Sequence, residues 1–243
     1  MSLLTIKCLL VSVLLATAGF AAAAVAPAHP AAAAYFLAPA ALDLPALLPP
    51  PPAPDSLVQQ AELEVLYQLQ LARTPAQVSQ AHLIEAEDFF SFGAAVLGPW
   101  FTATKLPQTA TVLAHLGSDL DLFSRATKTY FNRRRPPFLD TRLQPCVELR
   151  DTGSYPSGHA MRATAWAAVL SSLFPEHAAA FQTRAAANRW GRLLAGVHYP
   201  SDVEAGRILG AAISREMLKT PALQNKLKEI QAEIAPWLQR KAA

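Results

Sequence analysis

The stretch "GSYPSGHA", Gly153–Ala160, sets Pro156, Ser157, Gly158 and His159 side by side where a helical pattern begins. A proline that fixes the approach, a small hydroxyl side chain and a glycine allowing close backbone contact suit an anion held on the first N–H groups of a helix. The adjacent histidine is able to move protons near neutral pH. The same residues also describe a plain turn into a helix with Ser157 as N-cap. The rest of the chain has to decide between the two.

Hydrophobic residues make up 52% of the 243 positions and charged ones only 16%. That is too apolar for disorder, and abundant Ala and Leu favour helix over strand. The length suits one domain with a full core. A formal net charge of +3 without long Lys or Arg tracts does not indicate a nucleic-acid partner, whereas clustered arginines still suit a phosphate-bearing substrate.

The opening "MSLLTIKCLLVSVLLATAGFAAAA" has Lys7, an apolar run from Cys8 to about Phe20, and an Ala-rich end with several small-x-small sites. It reads as a signal peptide over 1–24, with the mature chain starting near Val25 in the periplasm or outside the cell. The apolar run is short for an uncleaved anchor, and no stable membrane insertion is expected after cleavage. Only Cys146 would then remain, so no intrachain disulfide is expected. Residues 25–55 form an Ala/Pro-rich arm ending in "PALLPPPPAPDS", extended and largely polyproline II, as either a free leader or a strap on the core.

From residue 56 to 243 the pattern is helical. Ser56 with Gln59, Thr74 with Pro75, and Ser201 with Glu204 read as helix starts, the first and last as capping boxes. Further helices are expected from about Ala81 to Val96, from Pro107 toward Tyr130, from His159 to Phe174, and from Glu176 to about Gly196. A last one starts at Thr220–Pro221, with Leu223, Leu227, Ile230 and Ile234 as its stripe. No alternation of period two is convincing, so the expected fold is an all-α, single-domain helical bundle. Phe89 to Lys105, rich in Phe with Gly and Trp, is either a pocket wall or lid, or ordinary core.

Three clusters carry candidate chemistry. "KTYFNRRRPP" holds Lys128, Arg133, Arg134 and Arg135, which alone could be a solvated helix end. "PSGH" holds Ser157, Gly158 and His159, and "GRLLAGVHYPSD" holds Arg192, His198 and Asp202. Read in order they are K(x6)RP, PSGH and R(x5)H(x3)D. This resembles the type 2 phosphatidic acid phosphatase / vanadium haloperoxidase superfamily. The "LLPPPPAPDS" arm, "EAED", "GSYPSGH" and "SDVEAGRILG" extend the resemblance to bacterial class A nonspecific acid phosphatases over nearly the whole mature chain.

The resemblance implies an exported acid phosphatase hydrolysing phosphate monoesters with broad specificity, with phosphotransferase activity as a further expectation. It implies that Lys128, Arg135, Arg192, Ser157 and the Gly158 N–H cradle phosphate. His198 would be the nucleophile that becomes phosphohistidine, Asp202 its hydrogen-bonding partner, and His159 the general acid. No metal or other cofactor is expected. Relatives of this class often form homo-oligomers, though apolar helix stripes serve a monomer core equally well.

Departures lie at Gly191, where the family usually has Ser, at Ala160 in place of Thr, and at Ala195 in place of a Cys. Gly191 is expected to remove a side-chain hydroxyl near the cradle, and together these changes leave substrate preference open without threatening catalysis. "GVHYPSD" is closer to lipid-phosphatase relatives, so a periplasmic lipid or isoprenoid phosphate phosphatase is the alternative. Weaker alternatives are a vanadium-dependent haloperoxidase and a noncatalytic phosphate binder, the latter disfavoured because it would need neither histidine nor Asp202.

Overall fold

The computed structural model describes residues 33–242, among which there is no β-strand. The expected signal segment 1–24 and the arm's first residues, 25–32, lie outside the described residues. In chain order the helices are α1 Leu44–Leu47, α2 Leu57–Ala72, α3 Pro75–Glu85, α4 Phe89–Leu97, α5 Pro107–Phe131, α6 Gly158–Leu173, α7 Ala178–Leu194, α8 Pro200–Met217 and α9 Pro221–Ala242. None of these is long and apolar enough to cross a membrane.

Helix α6 runs through the middle and is buried along most of its length, against α7 on one side and α8 on the other. Two glycines explain how closely α8 can approach. A Cβ on Gly206 would stand 2.4 Å from the Ser157 carbonyl oxygen, and one on Gly210 2.3 Å from that of Met161. Without side chains there, the α8 backbone rests on the first turns of α6. The Ser157 N–H then donates to the Asp202 carbonyl at 2.9 Å, which ties the starts of the two helices together. The core around them is aromatic and aliphatic, with Phe92, Phe101, Phe123, Phe174 and Phe181 fully buried. The stripe of α9 adds Leu223, Ile230 and Ile234 to it, with Leu227 partly buried.

The helical pattern expected over Ala81–Val96 is interrupted. Helix α3 stops at Glu85 and α4 starts at Phe89, because the Asp88 carboxylate accepts the Ser91 N–H at 2.7 Å while Ser91 Oγ accepts the Asp88 N–H at 2.9 Å. This reciprocal cap outweighs the continuous apolar run. The break also turns Glu85 and Glu87 toward Arg192 and Arg184 of α7.

Thr74 and Gln77 form the full capping box of α3. Ser56 caps α2 by accepting the Gln59 N–H at 3.2 Å, but the Gln59 amide does not complete the box. It donates to the Pro54 carbonyl and accepts from Arg133. Helix α8 begins at Pro200, one residue ahead of the expected cap: Asp202 accepts the Tyr199 N–H at 2.9 Å, Ser201 is engaged by Glu62 and Arg133, and Glu204 pairs with Arg207.

From residue 33 onward the arm is a strap. The N–H groups of Tyr35, Phe36 and Leu37 donate to the buried Asp119 carboxylate of α5 at 2.8, 2.7 and 3.0 Å. Tyr35 stacks on His115, Leu48 is buried in the core, and the Tyr155 hydroxyl donates to the Pro49 carbonyl. Three amide donors satisfy a carboxylate that would otherwise be costly to bury. The strap is not polyproline throughout, since it contains a 3-10 turn at Pro39–Ala41 and the short α1.

Candidate active site

Lys128 sits in the last turn of α5, which ends at Asn132 in the left-handed region (φ 42°). Asparagine tolerates that conformation better than most residues. The chain then runs extended, so alternate side chains face opposite ways. Arg133 and Arg135 turn inward, 7% and 4% exposed, and Arg134 turns out. "PSGH" supplies the start of α6 and Arg192 the last turn of α7. His198 precedes α8, and Asp202 lies in its first turn.

Lys128, Arg135, Gly158, His159, Arg192 and His198 are brought together around one cleft of about 190 Å³. Ser157 and Asp202, both fully buried, stand behind its lining. The Ser157 hydroxyl accepts the Ala160 N–H at 3.4 Å as N-cap of α6, which leaves its own O–H able to donate. The capping reading and the anion reading of "PSGH" are therefore compatible.

The cations are held by backbone carbonyls and one carboxylate. Lys128 donates to the Gly153 carbonyl, and burial together with Arg135 pulls its pKa down to about 7. Arg135 donates to the carbonyls of Thr152 (2.9 Å) and Val197 (3.0 Å), and burial lowers its pKa to about 10. Arg192 pairs with Glu85 at 2.8 Å, while its buried Nε has no hydrogen-bond partner. Partly satisfied buried cations have spare capacity for an incoming anion.

His198 is 2% exposed. Its Nδ1 lies 3.4 Å from Asp202 Oδ2, and its Nε2 lies 3.3 Å from Arg135 Nη1. Burial first, then Arg135 and Lys128, hold its pKa well below 6.5, which favours the neutral ring. A proton on Nδ1 toward the carboxylate leaves the Nε2 lone pair facing the cations. Burial pushes Asp202 upward, opposed by Arg133 and the Tyr199 N–H. His159 lies with Nε2 3.8 Å from Glu85 Oε2, its pKa depressed by burial and by Arg192 and Arg162.

The roles of two acidic residues and one arginine escape the sequence reading. Arg133 donates to Asp202 Oδ1 (2.7 Å), Ser201 Oγ (2.7 Å), Gln59 Oε1 (3.0 Å) and Glu62 Oε2 (2.8 Å), and stacks over the Tyr199 ring. Glu62 brings α2 to the back of the site, and Glu85 brings α3 to its rim. The alternation in "RRR" was a signal for Arg133, since an extended exit from α5 puts the first and third arginines on one side. Both glutamates lie far from the motifs in sequence; Glu85 opens the "EAED" stretch of the resemblance, which assigns it no role, and Glu62 carries no local mark.

Gly191 does not take a hydroxyl from the cradle as expected. A Cβ there would stand 2.3 Å from Ile84 Cδ1, so the position faces α3 and not the cleft, and its glycine permits the close approach of α7 to α3. Ala160 and Ala195 are fully buried, and Cys146 is half-buried beside the Leu194 carbonyl.

The pattern of the PAP2 superfamily matches residues 109–226, which contain all three motifs. A non-specific acid phosphatase of Salmonella typhimurium is 30% identical over 195 residues, covering 77% of this chain and 78% of that one. A non-specific acid phosphatase of Providencia stuartii is 30% identical over 206 residues, covering 80% and 82%. The crystal structure of a bacterial vanadium-dependent iodoperoxidase has the same fold, with a TM-score of 0.57 at 18% identity. That match covers 71% of this chain, which spans about half (52%) of the iodoperoxidase. By its motifs, its helical architecture and these relatives, the chain belongs to the PAP2 superfamily, among the bacterial non-specific acid phosphatases.

Proposed function

We propose that this acid phosphatase hydrolyses phosphate monoesters with broad specificity through a phosphohistidine on His198. The reading is supported above all by one arrangement: His198 bonded through Nδ1 toward Asp202, its Nε2 facing a cleft lined by Lys128, Arg135 and Arg192. The charge of a phosphoryl group spreads over its equatorial oxygens as it transfers, and fixed cations with the Gly158 N–H meet that charge without reorganising. The Ser157 O–H adds a further donor.

In the first step His198 Nε2 forms a bond to phosphorus as the ester P–O bond breaks, and His159 gives its proton to the leaving alkoxide. Water then attacks phosphorus and passes a proton to His159, and the P–N bond breaks to release phosphate and free His198. Burial and the charges of Arg192 and Arg162 depress the pKa of His159. An arriving dianion pulls it upward, so protonation of the acid accompanies substrate binding. The scheme needs no metal ion, and turnover is expected to be unchanged in chelator. Rapid quenching during turnover should trap an acid-labile, base-stable phosphoenzyme; a steady state with no such species would sink the covalent route.

Lys128 gives the anion site a pH dependence. With its pKa near 7 it is a cation below that pH and neutral above it. Sulfate, whose charge is constant over pH 5–9, is therefore expected to inhibit progressively less as pH rises through about 7, and Lys128→Arg should flatten that slope. Equal slopes in both proteins would show that another group governs anion binding.

Export is proposed from the opening segment, and sequencing of the secreted protein should find a start near Val25. Phosphoryl transfer to an alcohol is the same second step with the acceptor in place of water. A phosphorylated polyol at high acceptor concentration would reveal it, and its absence would remove the idea.

A further inference from the structure

Beside the phosphate cleft lies a larger hollow, of about 670 Å³ against about 190 Å³. The two share Asp121, Arg150, His159 and Arg162 in their walls. One side of the hollow is a face of α5 carrying Ala110, Leu113, Ala114 and Gly117. Phe89 and Phe90 from the start of α4, and Trp166 from α6, also line it. Phe89 meets Trp166 edge-on, with ring centroids 5.8 Å apart.

We propose that this hollow receives the alcohol portion of the substrate and favours aromatic leaving groups. The inference rests on the reading of His159 as the acid that protonates the leaving oxygen. The smaller cleft, at about 190 Å³, has room for the phosphoryl group and a short alcohol, so the bulk of a larger ester must lie past the residue that protonates it. His159 stands in both walls. The hollow falls within the roughly 300–1,000 Å³ range of small-molecule sites and is two-sided, with an aromatic and aliphatic wall from α4, α5 and α6 and a charged one formed by Glu85, Glu87, Asp88, Asp121, Arg150, His159 and Arg162. Arg150 and Arg162 at the junction are held by Glu85 (2.7 Å) and Asp121 (2.9 Å), and a guanidinium fixed at its edge can still take a ring on its face. Acidic Glu87, Asp88 and Asp121 also line it, which suits a compact ring better than a long acyl chain.

Gly117 makes the hollow testable. It lies mid-helix, where glycine is a poor choice for stability, and a Cβ built on it meets nothing within 4 Å. A larger residue there projects into open space, leaves the cradle intact and improves helix propensity.

The experiment compares 2-(1-naphthyl)ethyl phosphate with ethyl phosphate, both primary alkyl esters of similar intrinsic reactivity. The parent is expected to prefer the naphthylethyl ester by about tenfold or more in kcat/KM. Gly117→Trp should erase that preference, with ethyl phosphate turnover and inhibition by inorganic phosphate held within about twofold. Thermal midpoints accompany each measurement. If Gly117→Trp lowers the midpoint, Gly117→Leu and Ala114→Leu, which fill the same face, carry the decision under the same criterion. Equal loss on both esters in a folded variant, no loss on either, or no preference in the parent would overturn the assignment. So would a parent that prefers decyl phosphate to the naphthylethyl ester. A parent inactive on both short esters would overturn the phosphatase reading itself, which separates that failure from failure of the hollow.

Discussion

His198→Ala is expected to lower kcat on an aryl phosphate by roughly 10³-fold or more while leaving inhibition by inorganic phosphate within a few-fold of the parent. The two halves of this expectation come from different residues. The imidazole lies against Asp202 through Nδ1 and toward the cations through Nε2, so removing it takes the nucleophile from the covalent step. The oxyanion cradle is anchored independently: Lys128 on the Gly153 carbonyl, Arg135 on Thr152 and Val197, Arg192 on Glu85. Anion binding should therefore survive. Truncating a fully buried ring also leaves a small cavity, so the thermal midpoint must be followed, and the comparison made where both proteins are folded. Parallel steady-state kinetics and phosphate inhibition decide the matter. A variant that keeps most of its turnover would place the nucleophile elsewhere, and one that loses phosphate binding in step with turnover would make His198 part of the cradle.

The fold was legible where local chemistry and packing agree. Pro107 and the apolar face through Phe123 announced α5, and Thr74–Pro75 and Thr220–Pro221 announced the starts of α3 and α9. The reading failed where short polar contacts compete with an apolar run, as at Asp88, whose exchange of hydrogen bonds with Ser91 splits one expected helix into two. It also misjudged Ser201, because its hydroxyl is taken by Glu62 and Arg133 from other parts of the chain. The motif residues converge because α8 lies on the first turns of α6 at Gly206 and Gly210, and "SDVEAGRILG" carries those glycines in plain view. What no short window could give is the pairing of the second layer, Glu62 with Arg133 and Glu85 with Arg192, 71 and 107 residues apart.

The second layer is where the other large effect is expected. Among the described residues Arg133 is the only cation hydrogen-bonded to the fully buried Asp202, and it bonds Glu62 through the other arm of its guanidinium fork. Breaking a buried pair by deleting one partner typically costs about 3–5 kcal/mol, because a charge is left without compensation. Arg133→Met is thus expected to lower stability by about that much at neutral pH. The direction with pH follows from Asp202. Burial already pushes its pKa up, and without Arg133 the push is less opposed. The folded-state pKa then lies further above the unfolded value, so the cost is full above it and is relieved as pH falls through it. The variant should gain on the parent in acid.

Activity should move the other way. A protonated Asp202 loses the negative charge that fixes the Nδ1 proton of His198 and offsets the charge the ring gains in attack, so the acid limb of the kcat profile should shift to higher pH while KM changes little. Arg133→Lys keeps the charge but loses the two-armed fork, and should fall between parent and Arg133→Met. Urea unfolding at several pH values and the kcat profile together make the test. An unmoved acid limb alongside the expected stability loss would mean that Arg133 holds the fold together without setting the ionisation of Asp202.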